Sequence, residues 1–125
     1  MILVGVCGGR DYSDVVLLSE VLAREVPPGA VVVTGLTDPR RSRFGADELA
    51  DRWAWANGRG VIRVPAIWKR PDGTTDLSAG PRRNAIVTSL PLSKLIAFPG
   101  NNGTAMTVSM AEARRIPVTK IGWGV

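Results

Sequence analysis

The segment from Phe98 to Thr104, FPGNNGT, joins the end of an apolar run to the start of a helical pattern. Glycine lets the backbone approach a ligand and adopt positive φ, and asparagine and threonine favour an anion-binding nest. The following helix adds unsatisfied N–H groups and a partial positive charge at its start. This turn is therefore predicted to cradle a phosphate. The contacts expected from it are Pro99, Gly100, Asn101, Gly103 and Thr104.

A second basic motif, Arg82-Arg83-Asn84, follows Gly80-Pro81 at the start of another helical pattern. Proline is tolerated in a first helical turn because its missing N–H would lack a partner there. Arginine in that turn is unfavourable unless an anion is near. A solvated first turn is the alternative. We expect Arg83 and Asn84 to contact the ligand.

The remaining candidates follow other apolar runs. They are Gly8, Gly9, Arg10 and Asp11 after the first run, Gly35 after the second, Asp47 near the start of the next helix, and Trp68 after the third run. A tryptophan in this place can stack on a base or another ring, and simple packing is the alternative. Asp47 can accept ligand hydroxyls or merely cap its helix.

The hydrophobic pattern predicts the strands and helices that position these residues. Five apolar runs predict buried strands at Met1–Val6, Ala30–Thr34, Val61–Val64, Leu95–Phe98 and Ile116–Ile121. Helical patterns begin at Ser13 or Asp14, cover about 46–57, open at Gly80-Pro81 and run from Thr104 to Arg115, and Pro65–Ala79 is predicted as an irregular loop. Right-handed crossovers then give an α/β fold, a single Rossmann-like three-layer domain over residues 1–125 with a mostly parallel five-stranded sheet. Ligands of such sheets bind beyond the carboxyl ends of the strands.

Composition excludes several kinds of chemistry. The chain of 125 residues has no histidine and a single cysteine, Cys7, so His-based metal sites, Ser-His and Cys-His nucleophile pairs and a disulfide framework are excluded. We expect neither a metal nor a cofactor. The net charge of +5 favours an anionic partner or simply solubility. No apolar run approaches the roughly 20 residues that cross a bilayer, so we expect a cytoplasmic protein with no membrane partner.

Taken in order, several short motifs resemble one family along essentially the whole chain. The motifs are Gly8-Gly9-Arg10-Asp11, Gly45-Ala46-Asp47 with Trp53-Ala54, Pro65-Ala66-Ile67-Trp68, Ala79-Gly80-Pro81-Arg82-Arg83-Asn84, and Ala97-Phe98-Pro99-Gly100 with Gly103-Thr104. Together they resemble the YspA-like (DUF2493) branch of the SLOG superfamily, related to the LOG phosphoribohydrolases and the DprA core. The resemblance implies that a nucleotide-derived ligand, such as a relative of ADP-ribose or NAD, is sensed or processed.

The LOG enzymes carry a Pro-Gly-Gly-x-Gly-Thr-x-x-Glu motif and an upstream helical arginine. Asn101 stands here in place of the second glycine, and Thr107 in place of the glutamate. Arg83 is the best match to the arginine. The resemblance therefore implies binding more than hydrolysis, because a carboxylate would stabilise the ribosyl centre or position water. Candidate catalytic residues are Arg83 and Asp47, with Asp11 and Glu48 as other carboxylates that could substitute.

Three functions stay open from the sequence. The first is binding of a nucleotide-derived small molecule, and the second is N-glycosidic or phosphoribosyl hydrolysis of a nucleotide. The third, less favoured, is single-stranded DNA binding as in the DprA relatives, through Arg40, Arg41 and Arg43 in the basic loop Pro39–Phe44. Trp53 and Trp55 lie two apart and cannot share a helix face, so one is expected at the surface or in an interface. The LOG relatives form dimers, and we expect a homodimer or higher homo-oligomer.

Overall fold

Strands and helices alternate along the chain in the computed structural model, which describes residues 1–36 and 45–123. The elements are β1 Leu3–Cys7, α1 Val15–Glu25, β2 Val31–Thr34, α2 Ala46–Ala56, β3 Gly60–Arg63, α3 Ala79–Ser89, β4 Leu92–Ala97, α4 Asn102–Ala113 and β5 Val118–Lys120. The strands form one sheet in the order β3-β2-β1-β4-β5, and each neighbouring pair is parallel. The predicted α/β Rossmann-like architecture is confirmed, with the five-stranded sheet parallel throughout rather than mostly.

Alternating side chains of the central strands pack against a layer of helices on each face of the sheet. Val4 and Val6 of β1 pack with the buried residues of α1 and α2. Leu3 points to the other face, where it packs with Val87 of α3. On that same face Leu95 packs with Val108 of α4. Parallel sheets need this double cover because both of their faces are apolar. Helices from both faces of the sheet therefore begin at its carboxyl edge.

Local signals at the ends of the helices match the sequence in kind. Asp14 caps α1, since its Oδ1 accepts the N–H of Leu17 at 3.0 Å. The sequence indicates Gly58 as the C-cap of α2, but Asn57 holds that position and Gly58 follows it with φ +68°, the left-handed conformation that glycine adopts without strain. Each of these is a short-range effect, which explains why the sequence alone could indicate it.

The predicted fourth strand starts three residues too late, because Ser93 and Lys94 interrupt the apolar run that marks it. In the structure β4 begins at Leu92, and both polar side chains have partners. The Ser93 hydroxyl donates to the Leu3 carbonyl oxygen at 3.0 Å, and Lys94 Nζ lies 3.0 Å from Glu25 Oε2. Tertiary contacts thus satisfy polar groups inside a strand, which strand periodicity alone does not reveal.

The segment between β3 and α3 is irregular as predicted, apart from an isolated antiparallel bridge between Lys69 and Thr75. Asp76 organises it. The Asp76 N–H donates to the Trp68 carbonyl oxygen at 2.6 Å, and the Asp76 carboxylate accepts the Ser78 N–H and pairs with Arg82. This buried carboxylate therefore fastens the loop to the first turn of α3.

Two further expectations concern the surface. Trp53 is buried in the core while Trp55 is 70% exposed, which confirms that the two do not share a face. Assembly into a homodimer or larger oligomer stays a prediction.

The basic loop Pro39–Phe44, with Arg40, Arg41 and Arg43, lies outside the described residues. Within the described ranges, no helix combines the length and apolar character needed to cross a membrane.

Candidate functional site: a cavity at the carboxyl edge of the sheet

A cavity of about 310 Å³ opens where β1 and β2 end and where α2, α3 and α4 begin. The strand ends converge there because every strand of a parallel sheet runs in the same direction. Ten of the fourteen residues predicted to contact a ligand line it: Gly8, Arg10, Gly35, Asp47, Trp68, Arg83, Asn84, Asn101, Gly103 and Thr104. The topology thus brings together residues that are far apart in the sequence.

The other four predicted contacts, Gly9, Asp11, Pro99 and Gly100, are not among the lining residues. Gly9 and Pro99 join the turns after β1 and β4, since the Gly9 N–H donates to the Pro99 carbonyl oxygen at 2.8 Å. A Cβ added to Gly100 would lie 2.9 Å from the Gly9 backbone nitrogen, so only glycine fits this junction. Asp11 is exposed beside it. These residues shape the edge of the site from behind rather than facing its interior.

Seven lining residues were not among the predicted contacts. They are Val6, Cys7, Gly80, Pro81, Val87, Met106 and Thr107. Helical spacing could have indicated two of them, Gly80 and Val87. Gly80, Arg83, Asn84 and Val87 have the i, i+3, i+4, i+7 spacing of one helix face, so a ligand that meets Arg83 also meets the others. Predicting Cys7 as a lining residue would have required the correct end of β1, which the sequence pattern placed one residue early, at Val6.

Arg83 crosses from α3 to the end of β2. Its Nη1 donates to the Gly35 carbonyl oxygen at 2.5 Å and its Nε donates to Asn84 Oδ1 at 2.8 Å. A Cβ at Gly35 would collide with the guanidinium, so the glycine makes room for the arginine. Burial lowers the pKa of Arg83, against the opposing effect of the nearby Asp47 charge. The guanidinium is therefore a partly desolvated cation at the cavity wall.

Asp47 faces the same cavity from the first turn of α2. It is not the cap of this helix, because Gly45 holds the N-cap position. Burial raises the pKa of Asp47 to about 6, although the charges of Arg83 and Arg10 and a hydrogen bond from the Gly35 N–H act in the opposite direction. Gly35 thus contacts both charged groups, giving its N–H to Asp47 and its carbonyl oxygen to Arg83.

The other candidate carboxylates do not line the cavity. Glu48 is buried on α2 and pairs with Arg52, with 2.9 Å between Oε1 and Nε. Asp11 is exposed. Asp47 is consequently the carboxyl group that the described part of the chain places on the wall. Among the residues that the structure describes, acid or base chemistry by a carboxyl group in this cavity falls to Asp47.

An aromatic wall stands at one side of the cavity. Arg10 lies over the Trp68 ring, with its Cζ 5.9 Å from the ring centroid. Trp68 in turn packs on the start of α3, where a Cβ at Gly80 would lie 2.8 Å from the ring atom Cη2. Asp76 holds the backbone of the tryptophan through the 2.6 Å hydrogen bond to its carbonyl oxygen. The indole ring thus lies at the cavity wall, in contact with the start of α3 and with the Arg10 guanidinium over it.

Another part of the cavity wall is the start of α4, where the predicted phosphate turn lies. Asn101 caps this helix, because its Oδ1 accepts the Gly103 N–H at 3.3 Å. One donor of the expected nest is thus already occupied, and within this first turn Gly103 and Thr104 line the cavity while Asn102 does not. Thr107 donates its hydroxyl to the Gly103 carbonyl oxygen at 3.0 Å.

The fold defines a Rossmann-like three-layer α/β domain, and comparison with known proteins agrees with that class. No family model matches the sequence. The gene 61 protein of Mycobacterium phage D29 is 29% identical over 123 residues, which span 95% of this chain and 94% of that protein. The crystal structure of TM1055, a structural genomics target, superposes with a TM-score of 0.65 at 21% identity, covering 94% of this chain and 72% of that one. The structural likeness shows the fold. Membership of the YspA-like branch of the SLOG superfamily stays a prediction.

Proposed function

We propose that this protein binds a nucleotide or a nucleotide-derived ligand in the cavity at the carboxyl edge of the sheet. The observation that carries the proposal is the convergence of Arg83, Arg10, the start of α4 and Trp68 on one cavity. A phosphate would lie between the Arg83 guanidinium and the first-turn N–H groups of α4. The base would stack on Trp68, with a ribose hydroxyl directed to Asp47.

The size of the cavity indicates the class of ligand. Small-molecule sites generally measure about 300 to 1,000 Å³, and this one lies at the lower limit with about 310 Å³. A mononucleotide such as AMP matches that volume. A larger ligand such as ADP-ribose or NAD would place one of its two halves inside the described walls. We therefore expect the adenosine monophosphate unit to be the common element that is recognised.

A second candidate is hydrolysis of the glycosidic or phosphoribosyl bond, which one observation favours. Asp47, with its pKa raised to about 6, exchanges a proton near neutral pH as a general acid or base must. Against this, the position of the LOG glutamate holds Thr107, whose hydroxyl is engaged by the Gly103 carbonyl oxygen. Binding without turnover is therefore the function that we favour. We also expect the protein to be cytoplasmic.

Thermal denaturation with a ligand series tests the proposal. AMP, ADP-ribose and NAD are each added to the protein, and adenosine serves as the control without a phosphate. A ligand at 100 times its Kd should stabilise the fold by about 2.7 kcal/mol. We expect the phosphorylated ligands to raise Tm and adenosine to do so far less. A flat response to all four contradicts the proposal, and chromatographic detection of released adenine or ribose phosphate would favour the hydrolase instead.

A further inference from the structure

Asp47 lines the same cavity as Arg83 and Arg10, the cations that an incoming phosphate would use. The groups that face it come from four parts of the fold: the Arg83 guanidinium on α3, the Arg10 guanidinium after β1, the Gly35 N–H after β2, and the Cys7 thiol at the end of β1. Burial, and secondarily the Asp47 charge, raises the pKa of Cys7, so the thiol stays neutral. The two guanidiniums are therefore the charges that oppose protonation of Asp47.

A phosphate group bound in this cavity would change both sides of that balance. It would accept hydrogen bonds from the Arg83 guanidinium, whose Nη1 now donates to the Gly35 carbonyl oxygen and whose Nε donates to Asn84 Oδ1. Its own negative charge would stand across the same small cavity from the Asp47 carboxylate, and like charges in a desolvated site disfavour ionisation of the weaker acid. A protonated carboxyl group, by contrast, can donate a hydrogen bond to a phosphate or ribose oxygen.

We infer that binding of a phosphate-bearing ligand draws one proton from solvent onto Asp47, so that the site holds its ligand more tightly at mildly acidic pH than at alkaline pH. This inference rests on the proposed function. No bond in the ligand forms or breaks. The free carboxylate, one proton and the ligand combine into a complex in which Asp47 is neutral and Arg83 turns its charge to the phosphate.

The direction of the pH dependence follows from linkage. Asp47 has a pKa of about 6 in the free protein, and the bound ligand raises that pKa further. Affinity is then greatest below the free value, falls as pH rises through the interval between the free and bound values, and levels off above it. Each unit of separation between the two values corresponds to about a tenfold loss of affinity.

The test measures the Kd for AMP by calorimetry between about pH 5.5 and 8.5. It compares the wild type with Asp47→Asn, and with Glu20→Gln, a change at an exposed carboxyl group on α1. The second ionisation of free AMP is the same in all three titrations. We expect affinity to fall at least about tenfold more in the wild type and Glu20→Gln than in Asp47→Asn. Asparagine should not unfold the domain, because burial already disfavours the charged form of Asp47.

Proton uptake on ligand binding can be measured in the wild type alone, which tests the inference without the Asp47→Asn variant. Adenosine 5′-phosphosulfate keeps a fixed charge across this pH range, so proton uptake on binding it, detected from the dependence of the heat on buffer, must come from the protein. We expect uptake of up to one proton, largest near pH 7. Binding of AMP with equal pH slopes in wild type and Asp47→Asn, or no proton uptake with the fixed-charge ligand, overturns the coupling alone. Failure of AMP to bind at any pH overturns the proposed function as well.

Discussion

Adjacent arginines on one helix give the sharpest test of the proposed site. Arg83 lines the cavity and donates to Gly35 and Asn84, whereas its neighbour Arg82 pairs with Asp76 outside the cavity wall. The substitutions Arg83→Ala and Arg82→Ala remove the same charge from the same helical turn. They change the net charge of the protein equally, so a difference in nucleotide affinity between them reports position rather than total charge.

The size of the effect follows from the environment of each guanidinium. A hydrogen bond to a charged group contributes about 1.5–3 kcal/mol when its partners are desolvated. Arg83 is half-buried and partly desolvated, so its loss should weaken AMP binding by about 10- to 150-fold. The Arg82 side chain is 64% exposed and does not line the cavity, so it makes no contact with a ligand bound there. Arg82→Ala should change the Kd less than about threefold.

Isothermal titration calorimetry with AMP measures both variants, and circular dichroism melting establishes that each is folded at the temperature of the titration. Adenosine is the matched ligand, because removing a phosphate contact should not alter the binding of a ligand that has no phosphate. Equal losses in the two variants would attribute the effect to general electrostatic attraction. Full affinity in Arg83→Ala would refute the assignment of the phosphate position.

Two further pairs of substitutions probe the geometry. Gly8→Ala places a Cβ 2.5 Å from the Ala46 Cβ, so we expect it to lower the free energy of unfolding by about 1–3 kcal/mol. In Gly103→Ala the added Cβ meets nothing closer than 3.7 Å, so we expect this substitution to stabilise α4 by about 0.5–1 kcal/mol. Urea denaturation measures both free energies, and an unchanged value for Gly8→Ala contradicts the close packing at Ala46. Trp68→Ala removes the stacking surface and should weaken AMP binding about tenfold, while Trp55→Ala, at a site 70% exposed on α2, should not. Fluorescence titration measures both, and equal affinities would exclude a stacking role for Trp68.

The sequence by itself determined the order and kind of the elements. Buried parallel strands are continuous apolar runs, and helix ends are marked by short-range effects such as the Asp14 cap and the Gly58 conformation. That order was sufficient to place most predicted contacts at one edge, because right-handed crossovers between parallel strands put all carboxyl ends on the same side. Strand boundaries were less well predicted where polar residues such as Lys94 find tertiary partners.

Only the tertiary structure decided which side chains face the cavity. Successive residues of a helix differ by about 100° around its axis. Arg82 therefore turns to the loop held by Asp76, and Arg83 turns to the end of β2, although the sequence shows two like charges side by side. The same holds for Asp47, which the sequence could equally assign to a helix cap. Burial raises its pKa, and the groups that oppose this rise, Arg10, Gly35 and Arg83, lie far apart in the sequence and meet Asp47 only when the sheet has formed.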